Sequence, residues 1–295
     1  MPDALDAPLS LDLFFEGWEL FREPALAGAI AGALLGLLGV YVVLRRVVFL
    51  SAAVSQAAGL GVALSFYAAL HLGVAVSPLV GAAVLTGLAV LPFVGGGTDA
   101  RRESLLGVIW LLGSAGTLAV GTRIVAEVTD IQDILFGTAV AVAPEDFARL
   151  WQVALALGLL HLWWWRGFAA ASFSRDAARV QGLPVRLLDV VLFATLALAV
   201  SLTTRTLGAL PAFAFSVLPA VAALAVARSV PQALVLATGL GALTGFGGYL
   251  LSFRYSLPVG PAQALLGVAL VAALHGPVRA ARGVRRLRAR FAATT

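Results

Sequence analysis

Apolar runs of about 18 to 25 residues recur along almost the whole chain, and each is long enough to cross a hydrocarbon core roughly 30 Å thick as an α-helix. Short polar stretches rich in arginine separate them. Taken with these flanks, the runs predict nine spans, near 24–44, 48–70, 74–94, 104–122, 147–166, 186–204, 207–227, 231–251 and 258–276, with eight and ten as the bounds. The short alternating strands of a membrane barrel are absent. The pattern specifies an all-α polytopic transmembrane helical bundle, with an N-terminal segment over 1–23, a transmembrane domain over 24–276 and a basic tail over 277–295. A further apolar piece, ILFGTAVAVA over 134–143, sits between acidic residues and either dips into the membrane or stays outside it.

Composition supports the bundle: 61% of the 295 residues are hydrophobic and 12% charged, more apolar surface than a water-soluble domain of this length hides. The net charge of +5 comes from arginines in short loops and in the tail, where the positive-inside rule places them, so it reports topology and not nucleic acid. With Arg45, Arg46, Arg101, Arg102, the Arg166 to Arg186 segment, Arg228 and the Arg279 to Arg290 tail inside, the spans alternate correctly. That puts the N-terminus outside and the C-terminus in the cytoplasm of a cell-membrane protein, and leaves Glu127, Asp130, Asp133, Glu145 and Asp146 outside. The N-terminus is acidic and lacks the basic start and small-residue cleavage site of a signal peptide. The chain has no cysteine, which excludes disulfides and thiolate metal sites, and no lysine, which excludes a P-loop lysine. If ATP drives this protein, another subunit hydrolyses it.

Within the spans, Gly28, Gly32 and Gly36 form one small-residue face and Gly241 with Gly245 another, serving close helix packing or gating. Pro211 and Pro219 fall in the 207–227 span, where a missing backbone donor predicts a break or kink; such a site lines a pathway or is a tolerated bend. The loop from Phe173 to Arg186 is the only sizeable inside loop between spans. It reads as a short helix with Ser174 as N-cap and Gly182 with Pro184 as the stop, either a generic connection or a docking element. Ionisable residues within spans are few, which argues against a secondary transporter coupled to ions. His71, His161 and His275 lie near span ends, and His161, followed by Trp163, Trp164 and Trp165, reads as an interfacial anchor. Ser114 in Gly-Ser-Ala-Gly has no base that the sequence brings near it, which sets a serine protease aside.

Several segments in order resemble the zinc/manganese-type metal permeases of ABC importers, across roughly residues 22 to 275. Arg45-Arg46 followed by VVFLSAAVSQAAGLGVAL is similar to the family's second-helix signature, and ILFGTAVAVAPED over 134–146 to its stretch ending in Pro-Glu-Asp. The loop ending in Gly182-Leu183-Pro184-Val185 resembles the ATPase-coupling segment, Leu207 to Ala220 the helix after it, and Leu257-Pro258-Val259-Gly260-Pro261 the opening of the last helix. The resemblance implies a transport subunit and not an enzyme, paired with itself or a related permease. Cytoplasmic ABC ATPase subunits would hold the ATP, and an extracytoplasmic binding protein would deliver a divalent cation such as zinc, manganese or iron. It assigns ATPase coupling to Ser174, Arg175, Asp176, Arg179 and Gly182. The residues themselves offer Ser51, Ser55, Gln56, Ser216 and Pro219 for the translocation path, the polar face of Ser51, Ser55 and Gln56 serving either a passing hydrated or chelated solute or helix packing.

One departure bears on the substrate. Where the family has an Asp and, four residues later, a His in the second helix, this chain has Ala52 and Gln56. An i, i+4 carboxylate and imidazole share a helix face and suit a divalent cation; Ala52 coordinates nothing and Gln56 offers one neutral oxygen. No metal ligand is assigned. Either the cation passes with few protein ligands or the cargo is another species, such as a metal chelate.

Overall fold

A computed structural model of the chain describes the backbone over 9–94, 99–124 and 142–292 and the side chains over 9–94, 103–124 and 142–276. Among the described residues there are α-helices and turns and no strand: α1 (Leu11–Glu16), α2 (Trp18–Leu44), α3 (Val48–His71), α4 (Pro78–Val90), α5 (Asp99–Ile124), α6 (Pro144–Trp163), α7 (Trp165–Phe173), α8 (Arg175–Val180), α9 (Val185–Leu207), α10 (Ala209–Val226), α11 (Val230–Tyr255) and α12 (Val259–Ala292). Seven of them, α2, α3, α5 and α9 to α12, are each long and apolar enough to cross a bilayer. α6 and α7 together, bent by 70° at their junction, are apolar and long enough for an eighth span or a re-entrant loop. The third predicted span is the short α4, 13 residues continued by a 3-10 turn over Leu91–Phe93. Every predicted span thus has its helix. Three boundaries differ by more than four residues: α2 starts at Trp18, before the predicted start at 24, α5 starts at Asp99, before 104, and α12 runs on to Ala292 without a break at 276. The apolar piece at 134–143 and its acidic flank from Glu127 to Asp133 lie outside the described residues except for Val142 and Ala143.

Lipid tails are as apolar as leucine, so helices in a bilayer associate through close contact instead of hydrophobic exclusion. The glycines supply that contact. A Cβ at Gly28, Gly32 or Gly36 of α2 would run into the backbone of α11 at Gly245, Gly241 and Ala237 respectively, and one at Gly39 into the Ser216 carbonyl of α10. The descending register on α11 makes the pair antiparallel, and the two small-residue faces read from the sequence are partners of each other. Gln263 of α12, fully buried, donates from Nε2 to the Gly245 carbonyl (3.0 Å) and closes this side.

α3 packs between α4 and α5. Gly61 meets Gly81 of α4, and Gly113 and Gly116 of α5 admit Gln56 and Leu60. A buried hydroxyl pair, Thr86 and Ser201 at 2.6 Å, joins α4 to α9. At the end predicted to face outside, α1 folds back on α11: the Leu9 amide donates to the Arg254 carbonyl (2.9 Å), and Phe14 packs among Phe21, Tyr249 and Phe253. The outward faces of α4, α5 and α6 carry Val80, Val84, Leu111, Leu112, Leu155 and Leu159, all more than half exposed, as a lipid-facing surface requires.

α10 is not broken by its prolines. Pro211 falls in the first turn, where a helix has no use for the missing donor, and the helix continues through Pro219 to Val226. The break lies ahead of the helix, three residues before Pro211, at Gly208, the single residue between α9 and α10, with φ 102° and ψ 166°.

Candidate functional site: a central cleft and the segment at its inner end

The i, i+4 face of α3 that holds Phe49, Ala52 and Gln56 lines an open cleft of about 490 Å³. Trp110, Ser114 and Leu118, spaced four apart on α5, form the opposite wall, and Ala209, Leu210 and Phe213 at the start of α10 form the third. Gly113 allows the close approach, because a Cβ there would meet the backbone and Cβ of Gln56. The cleft's polar side chains are Gln56 and Ser114. Among the described residues the buried Gln56 Oε1 has no hydrogen-bond partner. Among the described residues no carboxylate or imidazole lines the cleft, and no group of three or more His, Asp or Glu could hold a metal. A bare divalent cation, which takes oxygen or imidazole ligands in number, finds two neutral side-chain donors here. No histidine is among the described residues that line the cleft with Ser114.

The structure divides the predicted path residues. Gln56 lines the cleft. Ser51 and Ser55 are buried on α3 outside its lining, Ser55 donating to the Ser51 carbonyl (2.8 Å) while the Ser51 Oγ has no partner among the described residues. Ser216 and Pro219 turn toward α2, where the Ser216 carbonyl and the Pro219 Cβ meet Gly39 and Gly36. The cleft residues of α10 are instead those directly after Gly208, which the sequence reading passed over; the signal was the Gly208-Ala209 junction itself.

At the end predicted to face inside, Ser174 caps α8, its Oγ accepting from the Ala177 amide (3.3 Å). The helix stops as its sequence requires: Gly182 takes φ 78°, its amide donates to the Arg179 carbonyl (2.9 Å) and that of Leu183 to the Ala178 carbonyl (3.0 Å), a Schellman closure. Asp176 and Arg179 pair at 3.3 Å on the exposed face, beside Val180, which is 89% exposed. Arg175 turns inward to the carboxylate of Asp189, a fully buried residue in the first turns of α9. The other oxygen of Asp189 accepts from Arg45 at the end of α2 (2.5 Å), whose Nε reaches Ser172 of α7 (3.0 Å) and whose guanidinium lies 5.6 Å from the Phe193 ring centre. Four elements therefore meet at one buried carboxylate. Breaking such a pair leaves an uncompensated charge at a cost of about 3–5 kcal/mol. Asp189 escaped the sequence reading, although an acid inside the predicted 186–204 span is itself a functional signal.

At the opposite end, Asp146 in the first turn of α6 pairs with Arg205 near the end of α9 (3.2 Å), which gives the Pro-Glu-Asp stretch a structural task. His161 is not the interfacial anchor its tryptophan neighbours suggested. It is buried, its Nε2 lies 2.9 Å from the Thr195 hydroxyl, and its ring stacks on Phe168, because α6 turns this position inward while Trp163, three-quarters exposed or more, faces out.

Comparison with known proteins places the whole arrangement. The model of the ABC 3 transport family matches residues 18–275. The zinc transport system membrane protein TroC of Treponema pallidum is 30% identical over 275 residues, covering 88% of this chain and 92% of that protein. The manganese transport system membrane protein MntC of Listeria monocytogenes is 24% identical over 273 residues, covering 90% and 95%. Among solved structures, PsaBC from Streptococcus pneumoniae in complex with Fab aligns with a TM-score of 0.76 at 23% identity, over 90% of this chain and 95% of that one. An inward-facing putative metal-chelate type ABC transporter aligns at 0.66 and 18%, over 92% of each.

Proposed function

Since the chain belongs to the ABC 3 transport family and is a membrane permease subunit, we propose that it imports a divalent metal, with ATP hydrolysed by a separate cytoplasmic subunit docked on α8. The observation that carries this reading is α8 itself: a short helix capped at both ends, exposing Asp176, Arg179 and Val180, and tied through Arg175 to a carboxylate inside the bundle. A surface connection with no partner has no need of that tether. In the proposed orientation the N-terminus is extracytoplasmic and the tail cytoplasmic. The substrate, handed over by an extracytoplasmic binding protein, passes the cleft of Gln56 and Ser114, and a second permease copy or a related one closes the open side of that cleft.

The cleft also favours a second reading of the cargo, a metal that arrives still chelated. Its volume falls in the range of small-molecule sites, about 300–1,000 Å³, and such sites have apolar and aromatic walls with a few polar groups, as here. The test is ATP hydrolysis and uptake in liposomes holding this chain, the ATPase encoded beside it and the binding protein. Zinc or manganese added free, or as a chelate at the same total metal, is expected to stimulate hydrolysis. Stimulation by the chelate alone selects the second reading. If the ATPase never associates with the chain, the importer reading is wrong.

A further inference from the structure

We infer that Asp189 is the positioning residue through which movement of α8 reaches the spanning helices. This role presupposes α8 as the ATPase-docking helix proposed above. Asp189 is fully buried and divides its two carboxylate oxygens between arginines of different elements, Arg45 at the end of α2 and Arg175 at the start of α8. The two arms are unequal. Arg45 is fixed by Asp189, by Ser172 and by the Phe193 ring, and its side chain is 9% exposed. Arg175 is 28% exposed, Asp189 is the side chain it pairs with among the described residues, and its Nε is buried without a partner. A cavity of about 120 Å³ beside the pair, lined in part by Phe93, Phe173 and Phe193, gives the Arg175 side chain room to shift. One arm holds α9 to α2 and the other follows α8. A displacement of α8 is therefore delivered to the base of α9 through an ion pair that stays formed, since separating it would strand a buried charge.

The absence of cysteine allows a clean test. A Leu118→Cys reporter on the cleft wall is labelled with a maleimide in the nanodisc-embedded complex with the ATPase, once without nucleotide and once with ATP and vanadate. With Asp189 intact, the two labelling rates are expected to differ by about tenfold or more, as a two-state shift of the cleft requires. In Asp189→Asn they should agree to within about twofold, while the ATPase still co-purifies and still hydrolyses ATP. Asp189→Glu should restore part of the difference, which a merely structural role would not predict. If Asp189→Asn does not assemble, Arg175→Ala takes its place: it keeps the Arg45 pair and should show the same loss. A full nucleotide-dependent difference in either variant, or none in the parent, overturns the role. Failure of the ATPase to co-purify with the parent overturns instead the reading of α8.

Discussion

Gly208 holds φ 102° and ψ 166°, a region that side chains other than hydrogen enter only at a cost of about 1–3 kcal/mol. Gly208→Ala is expected to lower the thermal midpoint of the purified protein, read by size-exclusion chromatography after heating; an unchanged midpoint would show that the turn relaxes. Ala52 and Gln56 make a different kind of statement, about chemistry and not conformation. They lie one turn apart and face the same cleft, so Ala52→Asp with Gln56→His would put a carboxylate and an imidazole on one wall. If missing ligands are what exclude the bare ion, uptake of free zinc or manganese should rise by roughly tenfold, equivalent to one charge-assisted contact of about 1.4 kcal/mol. Uptake unchanged from the parent would mean the cleft is not the selective step.

At the scale of the element, α2 and α11 stand or fall by their glycines. Gly32→Leu must force apart two backbones in contact and should cost stability at the level of overpacking, about 1–3 kcal/mol or more. Gly158→Leu on α6, where an added Cβ meets nothing, should leave the thermal midpoint where it was. Ser174→Ala removes the cap of α8 at a cost of about 0.5–2 kcal/mol and should weaken co-purification of the ATPase without lowering the midpoint of the bundle. The elements were largely legible in the sequence because a bilayer imposes length and hydropathy on every span. Facing was not. A run that is apolar all round carries no periodic signal to say which side is buried, so His161 read as a membrane-surface residue when its ring is buried against Thr195 and Phe168.

Across the whole molecule, the ion pairs mark the two ends of α9: Asp189 with Arg45 and Arg175 at one, Arg205 with Asp146 at the other. Neither set was legible as a pair, because the partners lie 14 to 144 residues apart in the chain and the residue types alone match equally well to several others. α8 was legible as a short capped helix because its caps are local, written within a dozen residues of one another.

Gly208 has one more consequence. α9 begins beside the carboxylate that meets α8, and after its last residue a single glycine leads into Ala209, Leu210 and Phe213 of the cleft wall. A helix is a stiff rod, and one residue of about 3.8 Å leaves almost no slack. Under the role inferred for Asp189, α9 would serve as a pushrod with negligible backlash, a thrust at its base arriving at the cleft undiminished. Two glycines inserted after Gly208 would add play at that joint while touching neither end. Such a chain should still co-purify with an ATPase subunit that hydrolyses ATP, and yet spend each stroke taking up slack.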